Sequence, residues 1–395
     1  ISGQARVALD AQSPRIQRWI AGYTAGYNRY VAEHPGSRND SWCSSAPWVR
    51  AVTPDDFMAR MVHLALTLPR MGAAVAAAQP PGQTVAAATG DQPLLAQALD
   101  NAALQGMGSN GWAIGKDMSE NGRGLLLANP HYPWYGANRF WEKHLTIPGE
   151  LDVYGVVTLG APGVAIGFNA NLGWTHTVSA SQRLVLYRLT LDPENPLRYR
   201  YGDTWREIEA RELQVPVADG EDGIRLEPTT VYFSHYGPML TLPNMAWDQE
   251  FAYTARDANM GNFWLLAQWM AMGQAQDLDT FIDAHRQFNA MPWVNTIAAS
   301  KDGRALYLDN STVGNLSSEA QDSWHSSLAN DPLAAGLRKD RGMVLLDGSD
   351  PGNEWIDTGD TLVPGTVPFD ERPAIERSDY VFNANNSYWL SSPRA

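Results

Sequence analysis

Apolar positions recur at helical spacing twice near the start of the chain. Ile16, Ile20, Tyr23, Tyr27 and Val31 follow Ser13-Pro14, an N-cap residue and a proline suited to the first helical turn. Thr53-Pro54-Asp55-Asp56 repeats that start signal, with acids in the first turn, ahead of Phe57, Met61, Leu64 and Leu68. Residues 71 to 90 lose the period and read as a flexible linker of Ala, Gly, Pro, Gln and Thr. A short helix is expected around Leu94, Leu95, Ala98 and Leu99, before Gly106. Short apolar runs bounded by Gly, Pro or Asn then predict strands at Trp112 to Ile114, Gly124 to Ala128, Phe140 to Ile147 and Leu151 to Val157. The same reasoning predicts strands at Val164 to Phe168, Leu184 to Leu191, Leu213 to Val217 and Thr229 to Phe233. Helices follow near Phe263 to Met272 and through Leu278, Phe281, Ile282 and His285, then strands at Trp293 to Ala298 and Ala305 to Leu308. Residues 313 to 375, rich in Gly, Pro, Asp and Ser, read as mostly irregular. Helices, strands, helices and strands in that order suggest sheets sandwiched by helical layers.

Composition narrows the classes. A chain of 395 residues can bury a large core. Its net charge of −14 argues against a phosphate-binding surface, since nucleic-acid binders carry a basic stripe. No apolar run of about 18 residues is present, so no membrane span is expected. The chain opens at Ile1-Ser2-Gly3 without a methionine and reads as a mature or trimmed product. Cys43, the single cysteine, excludes an intrachain disulfide and a zinc ligand set, and reads as a packed thiol rather than a nucleophile. No Gly-x-Ser-x-Gly elbow and no His-Glu-x-x-His motif occurs, which disfavours an α/β-hydrolase and a zinc hydrolase.

The stretch from Gly106 to Gly115 carries the chemistry, and two readings compete for it. Gly106-x-Gly108-x-x-Gly111 matches a dinucleotide fingerprint, but that motif needs a strand before it and a helix after it. Here the order is inverted, so the nucleotide reading fails. The other reading concerns the Gly108–Ser109 bond. A serine hydroxyl needs a base, and an N-terminal serine carries one in its own α-amine, whose pKa is about 7.7–8.0. Glycine before the serine tolerates the unusual geometry that self-cleavage would need. On residue types alone, a plain turn serine is the commoner case.

Further blocks alter that balance. Gly108-Ser109-Asn110-Gly111-Trp112-Ala113-Ile114-Gly115 resembles the start of the catalytic β-chain of penicillin-acylase-type N-terminal nucleophile (Ntn) hydrolases. Leu127 to Trp134, Leu172 to Ser179, Pro292 to Asn295 and Asn383 to Ser387 are similar to later blocks of that family, in order, and Ile20 to Tyr30 is similar to its α-chain helix. The nearest branch is that of the N-acyl-homoserine lactone and aculeacin A acylases. The resemblance implies an α+β fold, the four-layer α-β-β-α Ntn sandwich, with the chain truncated at both ends relative to the family. It implies a helical α-chain region at 1–70, a linker and short helix at 71–108 removed on maturation, and a catalytic β-chain region at 109–395. Ser109 is implied as nucleophile and base, His131 as the histidine that positions it, and the Val178 N–H and the Asn385 side chain as oxyanion donors. Asn385 is taken over Asn383 and Asn386 by alignment. His176 reads as a packed strand histidine. Tyr132, Trp293 and Val294 fall where the acyl pocket is lined, with Trp269 and Trp264 as further candidates. Penicillin G acylases place acidic calcium ligands shortly after the Val178 block; Ser179 to Leu184 lacks a carboxylate, so no metal or other cofactor is expected. The implied protein is a self-processing α/β heterodimer, periplasmic or secreted, that hydrolyses a fatty-acyl amide, most simply an N-acyl-homoserine lactone. A β-lactam or cyclic lipopeptide acylase shares every implied residue. A non-catalytic protein with an aromatic cleft is the rival from another class.

Overall fold

Capping decides where the first helices begin. The computed structural model describes residues 2–34, 49–66, 71–82, 108–136, 138–220 and 223–387. Cys43, Leu68 and the helix expected around Leu94 to Leu99 lie outside them. After a short helix, Ser2–Asp10, the Ser13 side chain accepts from the Ile16 N–H and Pro14 opens the helix Pro14–Glu33, which buries Ile16, Ile20 and Thr24. Thr53 and Asp56 form a capping box for Pro54–Ala65. Asn28 pairs with both backbone groups of Val52, at 2.7 and 2.8 Å, and so ties the long helix to the start of the next.

Two antiparallel sheets pack face to face behind these helices. A seven-stranded sheet runs in the order Ala374–Arg377, Ala305–Leu308, Val294–Ser300, Leu172–Val178, Ile166–Phe168, Leu151–Thr158, Phe140–Ile147. A three-stranded sheet places Gly108–Ile114 between Tyr380–Asn383 and Leu125–His131. Between the sheets sits a small core of Ala113, Ile297, Ala299, Ala305, Tyr307 and Val381. Gly111 faces into it. A Cβ there would stand 3.0 Å from Thr175 and 3.3 Å from Ile297, so sheet contact, and not a phosphate, accounts for that glycine. The opposite face of the seven-stranded sheet is covered by the N-terminal helices together with Leu265–Gln274 and Leu278–Phe288, in one cluster centred on Trp174, Phe281, Leu266 and Met58. Three layers of the expected four are thus present among the described residues. The outer face of the three-stranded sheet exposes Leu125, Leu127, Tyr380 and Phe382.

A further sheet of six strands surrounds Leu184–Asp192, with Val344–Asp347 lying parallel beside it. Residues 71–82 differ from the linker expectation. The helix Gly72–Ala76 docks here, with Met71, Ala74 and Ala78 fully buried in the two cores of this sheet. Residues 313 to 375 also differ from the irregular segment expected. They hold the helices Ser318–Ser327 and Pro332–Arg341, capped by Ser317 and Asp331, and the second ends on left-handed Gly342. The first buries only Ala320 and the second only Ala334 and Leu337, too few apolar positions to make a period. The strand Leu172–Val178 has no alternation because it is buried on both faces.

Candidate active site

Ser109 stands second in the strand Gly108–Ile114, on its inward side and almost fully buried. Strand alternation sends Ser109, Gly111 and Ala113 toward the seven-stranded sheet and Gly108, Asn110 and Trp112 the other way. The Ser109 hydroxyl donates to the Gly108 carbonyl oxygen at 2.5 Å, and the Ser109 N–H donates to Asn385 Oδ1 at 2.8 Å. A Cβ on Gly108 would come within 3.0 Å of that same Oδ1 and 3.4 Å of His131 Nδ1, so a larger residue there would have to push Asn385 back by a few tenths of an ångström.

Val178 and Asn385 meet at the same place. Ser179 N–H donates to Trp293 O at 3.1 Å, which makes Ser179 and Trp293 a hydrogen-bonded pair of the antiparallel ladder. The preceding pair, Val178 and Val294, is then a non-hydrogen-bonded one, so the Val178 N–H and C=O turn away from Val294. Asn385 Nδ2 donates to that Val178 carbonyl at 2.9 Å, on the side where the N–H also points. An amide nitrogen has two hydrogens, so Asn385 keeps one for another acceptor. Asn385 holds this pose in a left-handed conformation, φ 70°, which asparagine tolerates better than most residues.

A buried network missed at the sequence level holds Asn385. Asn383 Oδ1 accepts from Asn385 N–H at 2.8 Å, from the Thr177 hydroxyl at 2.8 Å and from Asn295 Nδ2 at 3.3 Å. Tyr307 donates to Asn295 Oδ1 at 3.2 Å. Asn295 and Asn383 lay in matching blocks, but nothing in either block distinguishes a side chain that orients a neighbour from one that packs.

His131 lies opposite Gly108 in the register and is exposed on the outer side of the sheet. Its Nε2 is 3.2 Å from Asn129 Nδ2 and 3.3 Å from Asn110 Nδ2. Two amide donors on Nε2 make it the acceptor, which leaves the proton on Nδ1, the nitrogen nearer Gly108.

The cleft over Ser109 is apolar. Tyr132, Trp293, Val294 and Trp269 line it with Val178, Ser109 and Leu64. Tyr132 stacks on Phe140 with ring centroids 4.4 Å apart and lies parallel to Trp293 at 6.4 Å. The Trp293 indole donates to Leu64 O at 3.0 Å, so residues from before and after Gly108 share one wall. Trp264 is not among the lining residues; it stands half-buried at the start of Leu265–Gln274. Phe140, Thr158, Ile166 and Leu265 also line the cleft and were not singled out from sequence, because Phe140, Ile166 and Leu265 lie in ordinary apolar runs and Thr158 just past the end of one. His176, the packed strand histidine, forms part of the floor, and burial pushes its pKa down to about 4, so it is neutral there. Among the described residues no group of three His, Cys, Asp or Glu side chains converges on a point, and no helix is long and apolar enough to cross a membrane.

The chain is 39% identical over 98% of its length to the acyl-homoserine lactone acylase PvdQ of Pseudomonas fluorescens and 35% identical over 99% to the aculeacin-A acylase of Actinoplanes utahensis. It spans about half of both relatives, 49% of each. A thermostable penicillin G acylase from Alcaligenes faecalis superposes with a TM-score of 0.55 at 21% identity, over 71% of this chain and 44% of that one, which establishes the Ntn-hydrolase fold. The penicillin amidase family model matches residues 1–395. The paired sheets and a match over the whole chain lead to one conclusion: this chain belongs to the penicillin amidase family.

Proposed function

We propose that the protein is a self-processing serine amidohydrolase that removes a fatty acyl group from an amide, with N-acyl-homoserine lactones as the favoured substrates. The observation that carries this reading is Ser109 at the base of an apolar cleft, beside Val178 and Asn385. Maturation comes first. The Ser109 oxygen lies against the Gly108 carbonyl. Its attack on that carbon shifts the acyl group from nitrogen to oxygen, and water hydrolyses the ester to free the Ser109 amine. The removed spacer lies between Gly82 and Ser109, since Met71, Ala74 and Ala78 belong to a core. The helical region and the chain beginning at Ser109 then remain together as a heterodimer, joined through contacts such as Trp293 to Leu64.

In the hydrolytic cycle Ser109 Oγ attacks the amide carbon while its proton passes to the Ser109 amine, directly or through one water. His131, opposite Gly108 in the register, is the residue assigned to position that end of the strand. The oxyanion accepts from the Val178 N–H and the free hydrogen of Asn385 Nδ2. The amine leaves with the proton, and water then cleaves the acyl ester. An apolar slot suits a long acyl chain, each buried methylene contributing about 0.8 kcal/mol. The 35% identity to an aculeacin-A acylase supports a cyclic lipopeptide as an alternative substrate on the same residues, and the penicillin amidase family match supports a β-lactam. Export to the periplasm or beyond follows from the same family reading.

Mass spectrometry of the expressed full-length protein tests the scheme. A fragment beginning at Ser109, abolished by Ser109→Ala, is expected, together with release of homoserine lactone from acyl lactones. An unbroken wild-type chain without acylase activity would refute it.

A further inference from the structure

Next to Val178 in the chain, and outside the cleft lining, lies a buried cage that the reaction as described does not use. Asp309 Oδ1 accepts from the Ser179 hydroxyl at 3.0 Å and from the Ser311 hydroxyl at 2.9 Å. Ser181 closes the ring, 2.8 Å from the Ser179 oxygen and 2.5 Å from that of Ser311. Two guanidiniums flank it. Arg183 donates to the Ser179 carbonyl at 2.5 Å, and Arg372 donates to the Asn310 and Ser311 carbonyls at 2.5 and 2.9 Å. Asp309, Ser179, Ser181, Ser311, Arg183 and Arg372 are all at least nine-tenths buried.

Ser179 is therefore gripped at three points. Its N–H is in the ladder with Trp293, its hydroxyl is on Asp309 and its carbonyl is on Arg183. The peptide plane between Val178 and Ser179 cannot rotate without breaking the Ser179 N–H bond to Trp293 or the Val178 carbonyl's bond from Asn385, and the Val178 N–H lies in the next plane, hinged to this one at the Val178 Cα. A backbone donor stabilises an oxyanion only if it is already aimed. A cage of buried hydroxyls around one carboxylate supplies rigidity without metal, at the expense of desolvating a charge that hydrophobic packing would not need. We propose that Asp309 is a positioning residue for catalysis: through Ser179, and with Arg183 and Arg372 as its counter-charges, it holds the Val178 N–H in the direction of the oxyanion. This assignment rests on the acylase reading above.

The test uses the full-length protein with Asp309→Asn and with Ser179→Ala, which removes one hydroxyl and leaves every charge in place. For each variant, cleavage before Ser109, the melting temperature, kcat and KM on N-dodecanoyl-homoserine lactone are measured. Inhibition by an alkylboronic acid, which forms a tetrahedral adduct on serine, is compared with inhibition by dodecanoic acid, which fills only the acyl slot. A misaimed donor predicts kcat down about 10- to 100-fold with KM within about threefold, since losing a donor outright costs about 10²–10³. Boronate binding weakens by a similar factor, and dodecanoate binding does not. A variant that melts like the wild type yet fails to cleave itself also supports the role, because self-cleavage develops an oxyanion too. Processed variants with kcat and boronate affinity within about twofold of wild type overturn the assignment, whatever their melting temperature, since a buried structural anchor alone would change only that. A wild-type protein that releases no amine overturns the acylase reading and this assignment with it.

Discussion

Replacing Asn385 by glycine removes a side chain with two separable duties while leaving the backbone free to keep its left-handed conformation at φ 70°. Its oxygen holds the Ser109 N–H at 2.8 Å, and its nitrogen, 2.9 Å from the Val178 carbonyl, carries the hydrogen assigned to the oxyanion. Loss of one oxyanion donor typically lowers kcat by about 10²–10³, or about 2.7–4 kcal/mol of transition-state stabilisation. The expected result for Asn385→Gly is a fall of that size in single-turnover release of homoserine lactone, with substrate affinity little changed because the acyl slot is intact. Asn385→Ala should lose the same rate and also melt lower, since an alanine at positive φ costs about 1–2 kcal/mol that glycine avoids. Mass spectrometry must accompany both, because a variant blocked in self-cleavage would be silent for a different reason. A cleaved Asn385→Gly protein retaining more than about a third of wild-type turnover would refute the reasoning, since no donor worth that factor would have been lost.

Other expectations follow from the same geometry. Tyr132→Ala removes the ring stacked on Phe140 at 4.4 Å and should raise KM for a dodecanoyl lactone about two- to tenfold, the equivalent of about 0.5–1.5 kcal/mol. It should barely affect a butanoyl lactone, so equal effects on both chain lengths would exclude Tyr132 from the acyl slot. Phe281→Ala empties a fully buried position against Trp174 and should destabilise by about 3–5 kcal/mol, read as a shifted denaturant midpoint. Burial pushes the pKa values of His176 and His285 down to about 4 and about 3, below the unfolded value near 6.5. The unfolded chain therefore binds more protons between those values, and stability should fall as pH drops from about 6.5 toward 4, by up to roughly 3 kcal/mol from each histidine. His285→Gln should flatten that dependence in melting curves recorded from pH 4 to 7; an unchanged slope would exclude His285 as a source of the acid sensitivity.

The helices and short apolar strands were legible in the chain, because capping and period are local. Thr53 with Asp56 and Ser13 with Pro14 act within one turn, and their helices start where those residues stand. The strand Phe140–Ile147 matches its expected limits. Where local signals were weak, the expectation failed. The helices after residue 317 bury so little that they show no apolar stripe, and Leu172–Val178 buries so much that it shows no alternation. Residues 71–82 look like a linker in composition, yet Met71, Ala74 and Ala78 are held by a sheet formed a hundred and more residues later.

For the site, the sequence by itself determined which chemistry was available: one Gly-Ser bond in blocks resembling an acylase, no metal-ligand motif, no nucleophile elbow, and aromatics enough for an apolar slot. Residue types and their order carry that much, because a nucleophile with its own base is a property of one residue and one bond. Tertiary structure alone decided who meets whom. Asn385 reaches Ser109 because the strand Tyr380–Asn383 pairs with Gly108–Ile114, and Val178 joins them because a non-hydrogen-bonded ladder position turns its N–H outward. Trp264 and Trp269 are alike in sequence and five residues apart, yet only Trp269 reaches the cleft. Asp309 carries no local mark, and nothing in the block around Asn383 sets it apart from a packing residue. Their partners lie far off in the chain, and a hydrogen bond across such a separation is specified by the packing of whole sheets.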